Sequence, residues 1–145
     1  MVAIKGGSAL EKRLSGLAAQ VSKPANLSVG FMEGATEADG TSVPLVAALN
    51  EFGGAKRPPR PFFRNMVADK SPAWGDAIAG LLAANNYDAT RTMEQMGAGI
   101  DGQLKQAIVD FNSVPLSPKT IAAKGFDKQL VDSGVMLAST SFKVK

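Results

Sequence analysis

The 145-residue chain contains no cysteine and no histidine. The first absence excludes a disulfide framework, a thiolate nucleophile, and zinc-finger or iron–sulfur ligation. The second excludes a serine-protease-type base, an axial haem histidine and the usual transition-metal sites. Aromatic residues are also few, with seven Phe, one Trp and one Tyr. That falls short of the interleaved aromatics on which single-strand nucleic-acid binders stack bases. No stretch of 18 uninterrupted apolar residues occurs, so no transmembrane helix is expected. The segment Met1-Val2-Ala3-Ile4-Lys5-Gly6-Gly7 lacks the apolar core of a secretory signal. Synthesis in the cytoplasm and no membrane partner are the expectations. Sixteen basic residues against thirteen acidic ones leave a charge of +3, too mild to imply nucleic acid or membrane. A small enzyme would have to work through carboxylates or lysine alone. No enzyme and no cofactor are expected.

What is present reads as one domain over residues 1–145, since the length fits one and the 45% hydrophobic content is ordinary for a globular chain. Ser8 and Glu11 have the spacing of a capping box, and Leu10, Leu14, Leu17, Ala18 and Val21 follow as an apolar stripe. They predict an amphipathic helix over 8–22. Leu27, Val29 and Phe31 alternate with polar or small residues and predict a strand over 26–33. A polar loop follows at 33–42. Thr41 or Ser42 caps a second helix whose expected inner face is Leu45, Val46, Leu49 and Phe52, with Gly53-Gly54 ending it.

The prolines of 55–61 exclude helix interior and central strand and predict a stiff extended connector. Helical pattern resumes over 62–70 and restarts at Ser71-Pro72, with Trp74, Ile78, Leu81 and Leu82 apolar. The longest helix runs from Asp88 to Asn112 on a stripe of Met93, Met96, Ile100, Leu104, Ile108 and Phe111. A short helix near 118–124 stops at Gly125, Asp132-Ser133 cap one last turn, and Phe142 and Val144 mark a closing strand. The expected class is α+β, a small mixed or antiparallel sheet packed with several helices.

Two apparent motifs fail on context. Gly97-Ala98-Gly99-Ile100-Asp101-Gly102 spells the dinucleotide fingerprint, but that mechanism needs a strand before it and a helix opening after it. Here the glycines lie inside a helical pattern, and a bend or a close approach of another backbone is expected. Glu33, Glu37 and Asp39 lack the remaining ligand positions of a calcium loop. No metal site is expected.

The segment Lys56-Arg57-Pro58-Pro59-Arg60-Pro61-Phe62-Phe63-Arg64 stands apart, with four of the sixteen cations beside two adjacent phenylalanines. Adjacent residues at a helix start cannot both face one core spot, which leaves one Phe for a neighbour. Arginine and aromatic anchors are what interface hot spots favour. The segment reads either as a stiff arm on a subunit or polyanion, or as a solvated loop entering a core Phe pair. The candidate contact residues are Lys56, Arg57, Arg60, Phe62, Phe63 and Arg64, with Asp39 in the 33–42 loop.

Several blocks taken in order carry a resemblance. They are Ala38-Asp39-Gly40-Thr41-Ser42, Val46-Ala47-Ala48-Leu49-Asn50-Glu51-Phe52-Gly53 and Pro58-Pro59-Arg60-Pro61-Phe62-Phe63-Arg64-Asn65-Met66. Pro115-Leu116-Ser117-Pro118-Lys119-Thr120 and Leu130-Val131-Asp132-Ser133-Gly134-Val135-Met136-Leu137 continue the set. Together they resemble the tail-component, or virion-morphogenesis, proteins of tailed bacteriophages over about residues 27–140. The resemblance implies a tail-completion or neck protein of the virion that forms a homo-oligomeric, six-fold ring at the head-proximal end of the tail. It implies neck and tail proteins as partners, possible non-specific contact with DNA in the lumen, and no catalytic residues. Tail terminators and head–tail joining proteins of the same fold are alternatives, as is a nucleic-acid binder using the 56–64 arm. Where family members carry a Ser-Ile pair, this chain has Ser139-Thr140-Ser141, so the closing strand is expected to start late.

Overall fold

The computed structural model describes residues 6–112, 116–125, 130 and 134–145. Two strands at opposite ends of the chain meet: β1 (Leu27–Phe31) pairs antiparallel with β2 (Thr140–Val144). The register sets Leu27 opposite Val144, Val29 opposite Phe142 and Phe31 opposite Thr140. Because side chains alternate across a strand, these six share one face, and both strands pack on the long helix α5 (Ala89–Asp110). The closing strand starts at Thr140, directly after the polar Ser139. This small antiparallel sheet and its helices make one α+β domain.

Helix α5 organises the core. Asp88 caps it, its carboxylate accepting the Arg91 N–H at 3.0 Å. Met96, Ile100, Leu104, Ile108 and the following Phe111 of the predicted stripe are buried, and Met93 is half-buried. Leu104 and Ile108 are almost wholly enclosed, and each such side chain contributes about 1.5–3 kcal/mol of hydrophobic stabilisation. The helices α3 (Phe62–Lys70) and α4 (Trp74–Ala84) pack on α5 and are joined by the single 3-10 turn Ser71–Ala73. Trp74 donates its indole N–H to Gln103 of α5 at 3.0 Å. Ser117 caps α6 (Pro118–Lys124), and Gly125 ends it in the left-handed region. The last turn, α7 (Val135–Ala138), follows Gly134; the expected caps Asp132 and Ser133 lie outside the described residues.

The glycines of the apparent fingerprint sit inside α5 with different surroundings. A Cβ on Gly97 would collide with the Phe142 ring and approach Leu27 Cδ1 to 2.8 Å. The close neighbour is therefore the sheet's side chains, not another backbone. Nothing lies within 4 Å of the Cβ positions of Gly99 and Gly102. Gly99→Ala with Gly102→Ala is expected to stabilise the fold by about 1–2 kcal/mol, because alanine is the better helix former. Gly97→Ala is expected to destabilise by about 1–2 kcal/mol through overpacking. Urea midpoints of the two variants check the contrast in sign.

The N-terminal region corrects two expectations. Helix α1 spans Gly7–Val21, and its N-cap is Gly6 in the left-handed region, with no side-chain capping bond. Ser8 lies within the first turn and does not cap, so the capping-box reading fails. The helix starts one residue earlier because a glycine makes the left-handed turn at little steric cost. The apolar stripe is present but not enclosed: no α1 residue is buried, and Leu10, Leu14 and Val21 are each more than half exposed. Among the described residues no helix is long and apolar enough to cross a membrane.

Candidate interaction site

Helix α2 (Val43–Phe52) begins after Ser42, whose side chain makes no capping bond, and carries Pro44 in its first turn. Of its expected inner face only Val46 is half-buried, and the rest faces out. Val43, Ala47 and Glu51 point inward, whereas Leu45, Leu49 and Phe52 are exposed, Phe52 at 67%. Apolar residues lie nearly all around this helix, so periodicity alone does not choose a side. What turns it is Glu51.

Glu51 is a buried carboxylate with defined work. Its Oε2 accepts the Phe63 N–H at 2.9 Å and its Oε1 the Arg64 N–H at 3.1 Å. These are unsatisfied donors at the start of α3, where the helix dipole also favours an anion. Arg64 returns the contact: its Nε donates to Glu51 Oε1 at 2.7 Å and its Nη2 to the Glu51 carbonyl at 3.0 Å. The same guanidinium lies 5.2 Å from the Phe52 ring centroid, a cation–π distance. The last turn of α2 is thereby clasped to the first turn of α3.

The proline arm is the loop this clasp closes. Gly53 ends α2 at φ 76°, and Gly54 and Arg57 exchange backbone hydrogen bonds of 3.0 and 3.1 Å. The arm thus opens as a tight turn, and only 58–61 runs without turn or ladder, so the expected extended connector is shorter than 55–61. A Cβ on Gly53 would stand 2.8 Å from the Arg57 carbonyl oxygen and 2.9 Å from Pro59 N. Gly53→Ala meets both that collision and the left-handed φ, and is expected to cost at least about 2 kcal/mol. A lowered urea midpoint checks it.

The candidate contact residues divide sharply. Phe62 is 2% exposed and belongs to the core, packed edge-on to Phe31 at 6.2 Å. Phe63 is half-buried, beside Gly30. Arg60 is turned back on α2: its N–H donates to the Asn50 carbonyl at 2.6 Å and its Nη1 to Asn50 Oδ1 at 3.4 Å. Burial first, then the positive charge of Arg57, lower the Arg60 pKa from its ordinary value. Lys56 and Arg57 are exposed.

Asp39 sits at the other end of α2, in a closed turn. Thr36 and Ser42 bridge its base, and Asp39 Oδ1 accepts the Thr41 N–H at 2.9 Å. Hydrogen bonding from Thr41, by its side chain first and its backbone second, holds the Asp39 carboxyl below its ordinary value. That support is present at neutral pH and is lost as pH falls through the lowered pKa. Loop and arm therefore bracket α2, about 15 Å apart along its axis.

Between α2, α3 and β1 lies an apolar groove of about 320 Å³, lined by Phe31, Pro44, Ala48, Phe52 and Phe63, with Glu51 and Arg64 in its wall. Phe52 belongs both to this groove and to the exposed stripe, so the two form one continuous apolar surface. Among the described residues no group of three or more acidic side chains is placed to hold a metal ion. Glu51 was missed in the sequence; its signal is a lone carboxylate in the last turn of an otherwise apolar helix. Comparison with family models, curated proteins and solved structures finds no match for this chain.

Proposed function

We propose that the chain is a structural subunit of a tailed-phage neck, closing into a ring at the head-proximal end of the tail and joining tail to head. The observation that carries the reading is the apolar surface left outside a well-formed core. Leu10, Leu14 and Val21 along α1, and Leu45, Leu49 and Phe52 along α2, all face out on a chain of 15.0 kDa. Exposed apolar stripes of this kind mark interaction sites. The resemblance of the loop, α2 and arm blocks to tail-component proteins names the assembly. On this reading the product belongs to the virion, its partners are neck and tail proteins, and it performs no catalysis.

The nucleic-acid alternative is weakened by the arm itself. Arg60 is engaged with Asn50, and Arg64, though exposed, has its charge paired with Glu51, which leaves Lys56 and Arg57 as the arm's exposed cations without a side-chain ion pair. Two phosphate contacts give a salt slope of only about −2 on duplex DNA. The deciding experiment adds the purified chain to tail tubes lacking their head-proximal cap and images them by negative stain. Ring density at one end of the tubes is expected, and tubes left bare at both ends would overturn the proposal.

A further inference from the structure

We infer that α1 of one copy docks on the outer face of α2 in the next copy, laying its Leu10–Val21 stripe across Leu45, Leu49 and Phe52. This rests on the ring reading above and names the contact that builds the ring.

Three observations select a second copy as the occupant. The first is where α1 is rooted. It joins the sheet at the Leu27 end of β1, where Asn26 and Lys145 exchange backbone hydrogen bonds of 2.8 and 3.0 Å. The groove beside α2 is lined by Phe31, at the opposite end of that strand, about 13 Å away. In its own chain α1 packs extensively on no other element, and none of its residues is fully buried.

The second is charge. Between Gly6 and Lys23 there are three cations, Lys12, Arg13 and Lys23, against Glu11, a net +2. From Pro24 to Ala55 there are four carboxylates, Glu33, Glu37, Asp39 and Glu51, and no cation at all. Helix α1 itself is +1, with Lys23 two residues beyond its end, and the loop that leads into α2 carries Glu33, Glu37 and Asp39; Glu51 faces inward on Arg64 and takes no part. Such complementarity steers association and fixes register. It also disfavours α1 pairing with α1.

The third is shape. The α1 stripe runs about 16 Å and the α2 stripe about 10 Å, so a two- to three-turn helix pair covers both. The contact uses different surfaces on its two sides. Made once per pair of copies it is heterologous, the type of contact that builds a ring when the rotation between copies closes.

The absence of cysteine makes the test direct. Leu14→Cys and Leu49→Cys chains are mixed at equal concentration and oxidised with copper phenanthroline in air, two thiols losing two hydrogens to the oxidant as the disulfide forms. The mixture is expected to give a covalent dimer as its main product, and the Leu14→Cys/Leu49→Cys chain a ladder of higher multimers. Leu14→Lys is expected to weaken association at least tenfold by sedimentation, with far-UV circular dichroism unchanged because α1 is outside the core. Four results would overturn the docking: Leu14→Cys dimerising with itself, the double variant closing within one chain, no cross-link in any combination, or α1-dependent flotation on phosphatidylglycerol vesicles in place of cross-linking. Rings without the α1–α2 cross-link remove this contact and leave the neck reading standing. A cross-linked ladder that never binds tail tubes keeps the contact and removes the neck reading.

Discussion

Glu51→Ala is expected to lower the unfolding free energy by about 3 kcal/mol, or roughly 6–12 °C in Tm for a chain of this length. The loss has identifiable parts. Two backbone N–H groups at the start of α3, those of Phe63 and Arg64, lose their acceptors. An unmade buried hydrogen bond costs about 1–3 kcal/mol. The ion pair adds less, because the Arg64 side chain is half exposed and screened by solvent. Glu51→Gln keeps the size and one acceptor oxygen and is expected to cost only about 1–2 kcal/mol. Thermal unfolding of the three proteins orders them wild type, Gln, Ala. An alanine variant within about 0.5 kcal/mol of wild type, the scatter of ordinary surface substitutions, would mean that the clasp between α2 and α3 holds nothing.

The adjacent phenylalanines are expected to separate stability from assembly. Phe62→Ala removes a core ring and leaves a cavity, at a cost of about 3–5 kcal/mol. Phe63 is half-buried and lines the groove, so Phe63→Ala is expected to cost about 1–2 kcal/mol of fold stability. Its larger effect falls on association, because it hollows the groove and leaves neighbouring Phe52 less supported. Arg60→Ala added to Phe63→Ala also removes the guanidinium bond to Asn50 while the backbone bond stays, and the pair is expected to abolish ring formation and tail joining in a chain that still folds. Urea unfolding read beside sedimentation checks both halves. Wild-type assembly in the Arg60→Ala/Phe63→Ala chain would exclude the arm as a contact.

The elements legible in the sequence are those whose one-sided pattern matched one-sided burial. The α5 stripe from Met96 to Phe111 and the alternation of Leu27, Val29 and Phe31 have this character. Helix α2 was not legible in the same way, because Val43, Leu45, Val46, Ala47, Leu49 and Phe52 offer apolar residues on nearly every side. Its orientation is set by Glu51 reaching donors twelve and thirteen residues later, a tertiary demand that no local period records. Helix α1 shows the converse. Its pattern is amphipathic, but amphipathicity does not say whether the apolar side faces its own core or another chain. The arm was found through its prolines and charges, yet the inward turn of Arg60 and Arg64 depends on Asn50 and Glu51, which sit in the preceding helix.

On the proposed reading the molecule works by contact, through the apolar stripes of α1 and α2. That account is tested most directly by the mass of the purified chain, measured alone and on tail tubes and paired with negative-stain images. It predicts closed rings at a fixed multiple of the 15.0 kDa chain, six on the resemblance to neck proteins, formed in solution or at the tube end. A 15.0 kDa species at every concentration, with every tube end bare, would contradict it.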